Sequence, residues 1–152
     1  MFLLAVCRLS AASDAAPNLS RLESGAYVKA KAHYEHGVEL GHAAEHASIF
    51  RRATLAREAR MEFERAVEAD PDFVDARVAL VEYYLRAPRF LGGGEEKAIA
   101  EAHQILERDA AEGHRAFAEI YEHQKKRAEA AKELDMAAAI DRDRLQEGPK
   151  QP

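Results

Sequence analysis

The chain has 152 residues, room for one domain of ordinary size, with 27 acidic side chains against 22 Lys and Arg and a net charge of −5. Its apolar content is dominated by 32 Ala, while Val, Ile and Thr together number 13 and Trp is absent, a composition that enters helices cheaply and lacks what a sheet packs with. This excludes sheet classes, a general nucleic-acid binder (which needs a positive field), a disulfide framework or Cys-based zinc site (one Cys), and a membrane-spanning segment, since the longest apolar run is only Phe2 to Cys7.

Residues 1–19 are expected to form an arm outside the domain. Phe2-Leu3-Leu4-Ala5-Val6-Cys7 is short for a secretory signal and no basic residue precedes it. It reads either as the remnant of a signal whose start lies upstream, which implies export or a periplasmic location, or as a loosely packed arm of a cytoplasmic protein. Leu4 to Cys7 also resembles a lipoprotein cleavage box, with Val6 where a small residue belongs.

A single helical domain is expected over residues 20–145. Ser20 and Glu23 have capping-box spacing and predict a helix from near Arg21 or just after Gly25 to about Gly41, with Gly37 inside it marking a close helix crossing. A second helix carries Phe50, Ala53, Ala56, Ala59, Phe63, Ala66 and Val67 at steps of three and four and stops at Asp70-Pro71. Asp72 is expected to cap a third, which carries Val74, Arg77, Val78, Leu80, Val81, Tyr84 and Leu85 and ends before Pro88. After a loop through Gly92-Gly93-Gly94, Glu95 and Glu96 favour the first turn of a fourth helix that ends near Asp109. Gly113 is expected to be the next break, followed by a fifth helix with Phe117, Ala118, Ile120 and Tyr121. A sixth carries Ala130, Leu134, Ala137 and Ala138, and residues 146–152 are expected to be a disordered polar tail.

Ala59, Phe63, Ala66 and Pro71 reproduce the second-helix half of a tetratricopeptide repeat. Leu80, Val81 and Tyr84 followed by Ala98, Ala102 and Ile105, and Phe117, Ala118 and Tyr121 followed by Ala130, Leu134 and Ala137, supply two further units, the first of them with an insertion of about five residues at the Gly-rich loop. A first unit with Gly37 and Leu40 fits if its turn is lengthened by about ten residues, around Gly41 to Ser48. The chain thus resembles three tetratricopeptide repeats over roughly Tyr27 to Arg142, and Asp70–Phe73, Tyr83–Pro88 and Gly92–Gly94 resemble a bacterial subgroup with a Gly-rich loop inside one repeat. The resemblance implies an all-α, right-handed solenoid of three antiparallel helix pairs; the alternative is a closed helical bundle.

The resemblance also assigns a concave face to Lys31, Tyr34, Val38, Asp75, Val78, Glu82, Leu85, Glu112, Arg115, Glu119 and Glu122, five of them acidic and two basic. The resemblance implies a non-enzymatic interaction module without cofactor, and the acidic balance a protein or peptide partner that is basic or amphipathic. The competing reading is an acidic face that is merely solvated.

His42-Ala43-Ala44-Glu45-His46 fits an inverted zinc-protease pattern, and His33 and His36 lie shortly before it, so a small His-rich metal-binding or hydrolytic protein is the alternative function. The bland reading is a polar His-rich turn. The three Gly at 92–94 are expected to be a spacer, since no Lys-Ser/Thr pair follows them, and Lys125-Lys126-Arg127 a solvated turn.

Overall fold

The computed structural model describes residues 19–147, so the expectations for residues 1–18 and 148–152 lie outside the described residues. A single turn, α1 (Leu19–Leu22), precedes six long helices: α2 (Gly25–Glu45), α3 (Ile49–Ala69), α4 (Val74–Arg86), α5 (Glu95–Arg108), α6 (Ala110–His123) and α7 (Arg127–Glu147). A short 3-10 turn, Arg89–Leu91, lies between α4 and α5. There is no strand among the described residues.

Several helix ends differ from the expected ones because a nearby residue competes for the same job. The cap of α2 is Ser24, whose hydroxyl accepts the Tyr27 N–H at 3.1 Å, while Ser20 lies inside α1. Asp72 caps nothing: its carboxylate takes Arg108 at 2.9 Å, and Asp70 instead accepts the Asp72 N–H and closes the turn into α4. α2 runs on to Glu45 beyond Gly41 because Arg52 reaches back to the carbonyls of Ala44 (3.1 Å) and Ala47 (3.3 Å), satisfying acceptors that a helix end leaves open. α7 continues to Glu147, so the expected tail loses its first two residues to the helix.

Gly113 is the largest departure. The break comes at Asp109, whose carboxylate accepts the N–H groups of Ala111 and Glu112 at 3.0 and 3.2 Å, and Gly113 sits buried within α6. A Cβ there would lie 2.3 Å from the Leu106 Cα, so Gly113 is where α5 and α6 touch backbone to backbone. Gly37 plays the expected crossing role in α2, with the Phe63 ring 2.5 Å from where its Cβ would be.

Each long helix packs mainly against its neighbours in the chain, and α4 also touches α6. Among the described residues no contact of that extent joins α2 or α3 to α6 or α7. Ala59, Ala66, Ala98, Ala118, Ala130 and Ala137, the alanines expected at crossings, are all buried. Leu80, Val81, Ile105 and Ile120 are the largest side chains sealed from solvent, and they join Phe63, Tyr84 and Leu85 in the main core. Phe73 anchors a smaller cluster with Ala30, Ala66 and Ala76. Phe50 and Leu134, expected on buried stripes, are instead exposed.

Buried charge fastens the turns. The Arg77 guanidinium, 6% exposed, donates to the Pro71 carbonyl at 2.9 and 3.0 Å and to Glu101 at 2.7 Å, tying the α3–α4 turn to α5. Asp109, equally buried, receives Arg144 from α7 at 2.9 Å as well as the first N–H groups of α6.

Candidate functional site

The expected groove residues divide into three groups. Tyr34, Val78 and Leu85 are structural: the Tyr34 ring packs on Phe63 and Phe73 at 5.8 and 5.5 Å, and Val78 and Leu85 belong to the main core. Lys31 pairs with Glu35 one turn along α2 at 3.8 Å, Val38 packs on the core and Glu122 is exposed.

The remaining carboxylates come together along α4 and α6. Glu112 pairs with Arg115 at 2.8 Å, and Arg115 also reaches Asp141 on α7. Desolvation raises the Glu112 carboxyl above its ordinary value; Arg115 opposes this, and the negative charges of Asp109, Asp75 and Asp141 add to it. Asp75 keeps a solvent-exposed edge, yet the surrounding protein desolvates its carboxylate enough to raise it too. Four carboxylates thus gather around the start of α6, with Arg115 and Arg144 the cations paired among them. Further along, Arg86 lies 3.9 Å from Glu82 and 3.8 Å from Glu119, bridging the two helices. Arg86 and Asp141 were not among the residues singled out from sequence, although the Glu82-to-Arg86 spacing of four is the helical signature of such a pair.

The histidines behave differently. His42 and His46 are exposed, at the last turn and the end of α2. His33 bonds through Nδ1 to the buried Glu62 at 2.7 Å, with His36 at 3.7 Å from the same carboxylate. Burial would raise the Glu62 carboxyl, but the His33 bond and Arg65 outweigh it and hold it below the ordinary glutamate value. Among the described residues no group of three or more His, Cys, Asp or Glu is placed to hold a metal ion.

Sequence reasoning missed a cavity of about 320 Å³ between the first half of α3, the end of α4 and the turn that follows. Its floor is small and apolar: Ala53, Ala56, Ala59 and Phe63 from α3, Gly41 from α2 and Ala79 from α4. Ile49, Phe90 and Leu91 form an apolar lip, and Arg52, Glu82 and Arg86 supply the polar edge. The lip is held in place. Gly92 adopts φ +92°, a left-handed conformation suited to glycine, and a Cβ on Gly93 would lie 1.8 Å from the Ala87 carbonyl oxygen. The Tyr83 hydroxyl donates to the Leu91 carbonyl at 2.7 Å, and Lys97 donates to that of Gly92 at 2.9 Å. The glycines therefore form the expected spacer as a hydrogen-bonded turn that carries Phe90 at the cavity's edge.

No helix among the described residues is long and apolar enough to cross a membrane. Comparisons of the chain with protein families, with curated proteins and with solved structures found no match.

Proposed function

We propose that the chain is a non-enzymatic protein-interaction module, a right-handed solenoid of three antiparallel helix pairs of the tetratricopeptide type. Its pairs are α2 with α3, α4 with α5 and α6 with α7, and the face along α2, α4 and α6 receives a basic or amphipathic segment of a partner. Support for the stack comes from packing that follows chain order, without an extensive contact between the first pair and the last.

The observation that carries the partner's chemistry is the meeting of Asp75, Asp109, Glu112 and Asp141, whose mutual repulsion Arg115 and Arg144 only partly relieve. A Lys or Arg from a partner placed there removes that repulsion, so binding is favoured by charge that the free protein lacks. Glu82 and Glu119 contribute less than their number suggests, since Arg86 already stands between them.

The test is a displayed library of random 16-residue peptides panned against the full chain. Basic peptides should be enriched, and Asp75→Lys with Glu122→Lys, two exposed positions away from Arg86, should weaken them at least tenfold. Equal binding by this variant and the wild type overturns the groove reading.

A further inference from the structure

We propose that the cavity between α3 and α4 is a second docking site, independent of the groove, for an acidic amphipathic segment of another protein that inserts a bulky apolar side chain between Ala56 and Phe90. The concave floor and the lip supply the first half of the argument. Ile49, Phe50 and Phe90 are 75%, 87% and 84% exposed, among the most exposed large apolar residues described, and Ile49 and Phe90 both border the cavity. Exposed aromatics around a preformed apolar hole are the anatomy of an anchor site, where one inserted side chain is desolvated on all sides.

Charge supplies the other half. In a chain with an acidic excess, Ile49 to Arg60 carries four Arg and a single acidic residue, Glu58; of the four, only Arg60 is ion-paired among the described residues, with Glu64. Arg65, Arg77, Arg108, Arg115 and Arg144 all face carboxylates within 4 Å elsewhere in the fold. Arg52 on the cavity's edge, Arg57, whose charge acts on Tyr83 in the cavity wall, and Arg89, between Pro88 and Phe90 of the lip, have no such partner among the described residues. Arg52 spends its donors on the carbonyls ending α2, yet its charge is met by no carboxylate. The rim is thus cationic in the way that complements Asp and Glu flanking an apolar anchor.

A concave hole favours a side chain over a bilayer, whose flat surface cannot fill it. A second copy docked through the same patch would set these arginines against one another.

The same panning experiment tests this. The full chain should enrich, besides any basic peptides, a class with Asp or Glu beside Leu, Phe or Met. Arg57→Glu with Arg89→Glu, both exposed, should cut affinity for that class at least tenfold, as should Ala56→Phe, which fills the hole. Asp75→Lys with Glu122→Lys should leave this class within twofold, which separates failure of this site from failure of the groove.

The proposal is overturned if no acidic class is enriched, or if its binding survives both variants. It is equally overturned if the chain instead sediments with phosphatidylglycerol vesicles in an Arg57- and Arg89-dependent manner, or forms a dimer that Ala56→Phe abolishes. The charge variant touches no core residue, so the outcome stands even where Ala56→Phe alters folding.

Discussion

The turns around α4, α5 and α6 and the first half of α3 treat the same residue types in opposite ways. In the former, Arg77 and Asp109 are buried with their partners, and Gly113 lets two backbones meet. In the latter, arginines stand unpaired, Phe50 faces solvent and alanines line a hole. The difference teaches where binding capacity resides: a guanidinium already holding a carboxylate and two carbonyl bonds is committed to the fold, whereas one without a carboxylate keeps its charge for a partner.

The largest test of that contrast is Arg77→Ala. It strips the Pro71 carbonyl and Glu101 of their donor in a mostly buried setting, and should cost about 3 kcal/mol. Melting of a domain this size should then fall by roughly 10 °C. Replacing Arg51 or Arg57 by Ala should change stability by less than about 0.5 kcal/mol, as for an exposed charge without partners. Equal losses at the two sites would erase the distinction between committed and free arginines.

Gly113→Ala comes next, at about 2 kcal/mol by thermal or urea unfolding, because the Cβ must displace the Leu106 backbone. Gly37→Ala should cost less. Its Cβ meets chiefly the edge of the Phe63 ring, which can give way, and Ala regains about 1 kcal/mol of helix propensity over Gly. A larger loss at Gly37 than at Gly113 would contradict the two geometries.

These glycines also mark how far the sequence could be followed. Helix identity, the stop at Pro71 and the alanines at crossings were legible because propensity, period and proline act locally. Gly113 was misread as a break since a glycine that ends a helix and one that admits a neighbouring backbone look alike until Leu106 is beside it. Ser20 and Asp72 lost their capping roles to Ser24 and Asp70, a competition settled for Asp72 by Arg108, 36 residues away. The acidic character of the proposed groove could be read from composition, but neither the bridging of Glu82 and Glu119 by Arg86 nor the further negative charge that Asp141 adds from α7 could be, since both arise between helices. The cavity was invisible because Ala53, Ala56 and Ala59 look the same whether they face a helix or a void.

A smaller effect is expected from pH. Glu62 titrates below the ordinary glutamate value in the folded chain, so the stability it contributes is fully present above about pH 4.5, its unfolded value, and is lost as pH falls through the folded one. Asp75 and Glu112 act with the opposite sign: their raised values mean that protonation favours the fold as pH falls through them. Unfolding free energies of wild type and Glu62→Gln, compared from pH 7 down to pH 3, cancel the Asp75 and Glu112 contributions. The gap between the two proteins should shrink only below about pH 4.5; a gap constant down to pH 3 would remove Glu62 from the acid response.

The last effect is modest at the cavity, and its sign decides the matter. Ala56→Leu adds apolar volume beside an open hole at almost no cost in helix propensity, and should stabilise the chain by about 1 kcal/mol. The identical change at Ala98, fully buried on α5 within the main core, has no room to enter and should destabilise by about 2 kcal/mol. Opposite shifts in melting temperature from one substitution at two buried-looking alanines would establish that the space between α3 and α4 is a true void in solution. If Ala56→Leu destabilises as Ala98→Leu does, that space is closed in the free protein, and an anchor side chain has nowhere to go.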